Sequence, residues 1–130
     1  MALATKVLGF WAVLNLFRGL LHAYHPMSGA TMAVGIDPNM AGIEYVVFLL
    51  AVFGARQVTI GLFQLLIIFK APQLVHYAYG FTFIQVLIGL TNGKQIDAFS
   101  PGRRLHYIEM IVAILMLLLH FFQNRKRKPE

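Results

Sequence analysis

An arginine and a glutamine in the middle of a long apolar run constrain this chain more than any other feature. Arg56 and Gln57 lie within Phe53-Gly54-Ala55-Arg56-Gln57-Val58-Thr59-Ile60-Gly61, midway along the apolar stretch over residues 43–69. A membrane-spanning helix needs about 20 mostly apolar residues, and this stretch supplies them. A charge at the centre of such a helix costs roughly 2.5–3.5 kcal/mol on insertion scales. The side chain is therefore expected to turn inward, and the rest of the chain has to supply the bundle that receives it.

Composition fits that demand. Only 12% of the residues are charged and 58% are hydrophobic, against about 25% charged in a soluble domain. A water-soluble globule of 130 residues could not hide so much apolar surface. One domain is the natural count. The absence of cysteine excludes disulfides, thiolate metal sites and thiol catalysis. The net charge of +6 comes largely from Arg125-Lys126-Arg127-Lys128. Placed directly after an apolar segment, such a run marks a cytoplasmic membrane flank. No second basic patch with interleaved aromatics accompanies it, so nucleic acid is not an expected partner.

Four segments are apolar enough to span, over residues 3–21, 43–69, 74–90 and 105–122. They predict an all-α, integral membrane four-helix bundle over residues 1–124, followed by a basic tail over 125–130. The first segment has the outline of a signal peptide, with Lys6 before an apolar run. Asn15 and Arg18 interrupt it and no small-residue cleavage site follows, so it is expected to stay. With both termini on one side, that side holds Lys6, Lys70 and the tail, and the other holds Lys94, Arg103 and Arg104. The bias places both ends in the cytoplasm. Lys70-Ala71-Pro72-Gln73 reads as a tight turn between antiparallel neighbours. The first connection, residues 25–38, is long and apolar and falls on the non-cytoplasmic side. It is either a lid over the mouth of the bundle or a passive interfacial loop.

Each span carries polar residues at helical spacing. Asn15, Arg18 and His22 share a face of the first, and Gln57, Gly61 and Gln64 form a stripe with Gly54 on the second. Arg56 sits one position off that stripe. Gln85, Gly89 and Asn92 line up on the third, and His106, Glu109 and Ala113 on the fourth. The glycines suit close helix packing. By depth, His22, Glu44, Asn92, His106 and Glu109 form a rim away from the cytoplasm. Arg56 lies 12 residues below Glu44, roughly 18 Å at the helical rise, with Gln85 at a comparable level. The pattern is a polar funnel with Arg56 near its floor.

Glu109 is the only acid well inside an apolar span, and so the natural counter-ion for Arg18 or Arg56. It reads either as half of a structural ion pair or as a proton-handling group. The pairs His22/His25 and His106/Glu109 have chelating spacing, but Pro26 draws His25 away and no HxxxH or multi-acid pattern follows. No metal and no cofactor are expected. Neither a Ser-His-Asp set, a phosphate-cradling loop nor a dinucleotide fingerprint is present.

The step Gly54, Arg56, Gly61 resembles one found in the second helix of the small four-helix membrane proteins grouped as DoxX-like, and Asp97 falls where related families carry an acid after the third helix. The same broad group includes the ergosterol-biosynthesis scaffold family, from which residues 25–38 and the His106/Glu109 pair depart. The resemblance implies a four-helix membrane fold, in a group whose roles run from quinone-linked electron-transfer subunits to assembly factors. Lys126 and Lys128 resemble a dilysine retrieval pattern, which implies the endoplasmic reticulum in a eukaryote; a bacterial chain would sit in the inner or plasma membrane.

Two functions are expected from these residues. In the first, a polar intramembrane cavity binds a lipophilic ligand, or the chain serves as an accessory or scaffold subunit. Asn15, Arg18, Glu44, Gln57, Gln85 and Asn92 are the candidate binding residues, and the partners are the lipid bilayer, a lipophilic small molecule or a membrane protein, and a second copy in a homodimer. In the second, the chain is a membrane-embedded enzyme of isomerase, cyclase or hydrolase type. Acid–base chemistry then falls to Glu109 with His22 or His106, and Arg56 or Arg18 stabilises an anion.

Overall fold

The computed structural model describes residues 3–28, 30–31, 35–92 and 101–125, without the side chains at 28, 90, 92, 101–103 and 123–125. Lys94, Asp97 and the tail from Lys126 onward lie outside the described residues. Helix α1 is Leu3–Tyr24, α2 is the single turn Pro26–Ser28, α3 is Ile43–Lys70, α4 is Val75–Asn92 and α5 is Pro101–Arg125. Among the described residues there is no strand.

Sequence spacing explains why α1 and α3 make the most extensive helix pair. On α1 the buried positions include Thr5, Leu8, Ala12, Asn15, Gly19 and His22, alternating steps of three and four residues. On α3, Gly54, Gln57, Gly61, Gln64 and Ile68 repeat the same alternation. That 3.5-residue period is the seam of a coiled coil, whose helices cross at about 20°. The pair runs antiparallel, Gly19 lying against Gly54 and Val58, and Gly61 against Ala12. At the Gly19–Gly54 crossing the backbones nearly touch. A β-carbon on Gly54 would stand 2.6 Å from the Gly19 carbonyl oxygen and 2.5 Å from the Ala23 nitrogen.

At the other end of α3 the chain turns quickly. The Ala71 amide donates to the Ile67 carbonyl, Pro72 opens a 3-10 turn over Pro72–Leu74, and α4 begins. Helices α4 and α5 form the second antiparallel pair, seen in the stacking of His76 on His120 with ring centroids 4.2 Å apart. The two pairs meet over an apolar core of Leu8, Ile67, Ile68, Val75, Tyr79 and Ala113, drawn from all four long helices. Tyr79 is 2% exposed, and its hydroxyl donates a 2.7 Å hydrogen bond to the Ala4 carbonyl, tying α4 to the first turn of α1. Leu3 and Arg125 therefore lie at the same end of the bundle, the end the apolar core closes. Tyr79→Phe removes only that bond and is expected to lower stability by about 1 kcal/mol, the usual net worth of a hydrogen bond. Thermal melts of the two proteins measure it.

Polarity is arranged inside out. Asn15 is 6% exposed while Phe17, two residues on, is 66% exposed. The same inversion recurs along the bundle: Gln57, Gln64 and Glu109 are buried, and Phe48, Phe63, Phe81 and Ile111 face outward. Large exposed apolar faces on every long helix are the mark of a surface that meets something other than water. Helices α1, α3 and the 104–122 part of α5 are long and apolar enough to cross a membrane. The segment expected at 74–90 becomes α4, which is not among those three found in the described residues.

The first connection begins with α2, which packs on both α1 and α3. Thr31 bonds the Met27 carbonyl, Ile36 bonds the Ala30 carbonyl, and Ala30 is fully buried. An Asx turn at Asp37, accepting from the Asn39 amide, leads into Gly42, whose φ of 79° starts α3.

Candidate functional site

The inward polar residues fall into two places. The first is the α1–α3 seam itself. Asn15 donates from its amide to the Gln64 side-chain oxygen at 3.1 Å, a buried bond between the two helices. Seven residues on along α1 and seven back along α3, the same register brings His22 and Gln57 to the next layer. Both are buried, and His22 Nδ1 and Gln57 Oε1 have no hydrogen-bond partner. One amide layer is thus satisfied by protein alone and the next is not. The Asn15–Gln64 bond is expected to couple the two residues by about 0.6 kcal/mol, and at most about 1.7, as interhelical bonds in membrane bundles do. A double-mutant cycle with Asn15→Ala and Gln64→Ala measures the coupling.

The second place is a cavity of about 230 Å³ between α3, α4 and α5. Arg56, Gln85 and His106 supply its polar wall, and Phe53, Val86, Ile88 and Gly89 the apolar one. Helix rotation puts Arg56 there. Adjacent residues on a helix point about 100° apart, so when Gln57 faces α1, Arg56 turns to the flank shared with α4 and α5. Ile43 lies thirteen residues before Arg56 and Lys70 fourteen after it, which places the guanidinium at the middle of the longest helix. Among the described residues it makes no ion pair or hydrogen bond, and it is exposed.

Glu109 does not pair with Arg56. Its Oε2 lies 3.3 Å from Nδ1 of His106, one turn earlier on α5, and the carboxylate is 6% exposed. A carboxylate can only accept, so Nδ1 is the ring nitrogen that carries the proton in this contact. Behind Glu109, half-buried Arg18 on α1 is the cation whose field reaches the carboxylate, and His22 lies in Arg18's field in turn. The arrangement reads outward from α1 as Arg18, Glu109 and His106, ending at the cavity.

The structure brings together Arg56, Gln85 and His106 at the cavity, with Glu109 behind. It sends Asn15, Gln57 and His22 to the seam instead. Glu44 is exposed in the first turn of α3, where its charge complements the helix N-terminus and is removed from the cavity. Asn92 is the last residue of α4, and its side chain lies outside those described. No described residue of the first connection lines the cavity. The apolar wall carries no signal in the sequence, because Phe53, Val86 and Ile88 look like any other span residue. Among the described residues no group of three or more His, Asp or Glu side chains could hold a metal ion. Compared with protein-family models, curated proteins and solved structures, the chain matches none.

Proposed function

We propose that this chain is an integral membrane protein that binds a lipophilic ligand in the α3–α4–α5 cavity, with an oxygen-bearing head against Arg56. One observation carries the reading: a guanidinium stands at the middle of an apolar helix, with no partner among the described residues, on the wall of a cavity. A charge so placed is costly, and an anionic or carbonyl oxygen from a ligand offsets that cost. Helix α4 runs as the fourth span. Its 18 residues measure about 27 Å, the 3-10 turn lengthens it, and it packs antiparallel to α5. Both ends then sit on the side of Lys6, Lys70 and the tail, which the basic bias assigns to the cytoplasm.

A place among the DoxX-like proteins is proposed on Gly54, Arg56 and Gly61 alone. The two glycines serve the α1–α3 packing and the arginine serves the cavity, so the motif joins a fold requirement to a ligand requirement.

The experiment is organic extraction of the purified protein followed by mass spectrometry. A ligand-binding protein yields one apolar, oxygen-bearing molecule near one per chain. Recovery of bulk lipid alone, in the proportions of the membrane, contradicts the proposal.

A second reading has its own observation. His106 lines the cavity and Glu109 stands 3.3 Å from its Nδ1, the kind of contact by which a carboxylate orients a general base. A membrane enzyme using that pair loses turnover on Glu109→Gln, which keeps shape and removes the charge. A binder or accessory subunit has no turnover for the variant to lose.

A further inference from the structure

Resting on that binding reading, the donors and acceptors of the cavity wall specify the ligand's chemistry. Glu109 Oε2 is placed to accept a hydrogen bond from Nδ1 of His106, and a ring that carries its single proton at Nδ1 has an acceptor lone pair at Nε2. Arg56 offers only donors and a fixed positive charge. Gln85 offers either. A ligand that satisfies all three must present an O–H beside an oxygen acceptor that can carry negative charge. An ester supplies the acceptor without the O–H, and an alcohol the O–H with a weaker acceptor. A phosphodiester is anionic and has no O–H to give.

We infer that the cavity between Arg56, Gln85 and His106 binds the carboxylic-acid head of a single-chain amphiphile and takes its proton. The acid O–H bond breaks, the proton forms an N–H bond at His106 Nε2, and the electron pair stays on the carboxylate. The carboxylate then faces Arg56, and the imidazolium faces Glu109, which also lies in the field of Arg18 on α1. Each new charge meets one of opposite sign.

Size limits the ligand to one chain. The volume of about 230 Å³ is below the roughly 300–1,000 Å³ of small-molecule sites, enough for a head and its first carbons. The tail leaves past Gly89, where no described residue lies within 4 Å of the position a β-carbon would take, and runs along the exposed Ile88.

The test uses the full chain in detergent with four probes: palmitic acid, methyl palmitate, hexadecanol and acetate. Palmitic acid is expected to bind at least ~10-fold more tightly than the ester or the alcohol, the loss that follows when a hydrogen bond to a charged group goes unmade. Acetate should not compete, which separates a membrane-borne acid from a water-soluble one. With carboxyl-13C palmitic acid, the bound resonance should be that of the carboxylate at a pH where the same acid in empty micelles is still protonated. His106→Gln, whose amide can still donate to Glu109 but cannot take a proton, should remove that ionisation. Equal binding of acid and methyl ester overturns the carboxylic-acid assignment, and so does a bound acid that remains protonated or an acetate that competes. If a different molecule copurifies and no probe binds, the acid assignment fails and the cavity reading stands. If nothing copurifies and nothing binds, both fail.

Discussion

Replacing Gly54 with leucine is expected to abolish the folded bundle, the largest effect of any single change in this chain. A β-carbon there would lie 2.5 Å from the Ala23 nitrogen, 2.6 Å from the Gly19 carbonyl oxygen and 2.8 Å from the His22 β-carbon. The first two of these atoms belong to backbone, which cannot rotate away as a side-chain end can. Overpacking of an ordinary core costs about 1–3 kcal/mol. Here the helices themselves must separate, which also breaks the Asn15–Gln64 bond and exposes the Gln57 and His22 layer. Gly54→Ala should already lower the melting temperature steeply, and Gly54→Leu should give protein that aggregates on extraction. Gly80→Ala is the control. Nothing lies within 4 Å of its missing β-carbon, and an alanine in a helix interior is worth about 0.5–1 kcal/mol over glycine. That variant is expected to be slightly more stable than the parent.

The second large effect is at Arg56, and its sign is the informative part. A guanidinium serving the fold through a protein carboxylate would be costly to remove, because the partner would be left buried and unpaired. Glu109 would be that partner, but it is bonded to His106 and lies in the field of Arg18. Arg56→Leu therefore strands no carboxylate. The substitution should stabilise the ligand-free bundle by up to roughly 2.5–3.5 kcal/mol, the insertion cost of the charge. It should also empty the cavity of any copurifying molecule. Stability rises and occupancy falls, a combination that a structural arginine does not produce.

Much of this architecture is legible in the residues. The apolar run over 43–69 becomes α3, Ile43–Lys70, because nothing in it can break a helix, and the turn at Pro72 follows where an imino acid must end it. The stripe of Gly54, Gln57, Gly61 and Gln64 is readable as one face, since heptad spacing survives folding. What one helix cannot reveal is which neighbour its stripe meets. Asn15, Arg18 and His22 share a sector of α1, yet the close approach at Gly19 turns Asn15 and His22 toward α3 and leaves Arg18 half-buried in the field of Glu109. The single funnel expected from depth is thus two places, a seam and a cavity. Depth along the membrane is set by sequence position, whereas rotation about each helix is set by contacts between backbones.

Glu44 and the residues over 25–38 match the cavity in depth and stand apart from it in position. Glu44 sits at the right depth, but its first-turn position on α3 serves the helix terminus. The loop sits at the right end, but its first turn, α2, packs on α1 and α3 and none of its described residues lines the cavity. Gln85 is the converse case. It lies on α4 at the depth of Arg56, and the turn at Pro72 that folds α4 back beside α3 brings both to one wall.

The central claim is that Arg56 faces a ligand and not the protein. The melting temperature of Arg56→Leu, measured beside the parent after both have been stripped of lipid by detergent exchange, tests it most directly. The variant is expected to melt higher than the stripped parent and to gain nothing when membrane extract is added back, while the parent does gain. A variant that melts well below the stripped parent would show that Arg56 holds the bundle together through protein contacts, and the account would be wrong.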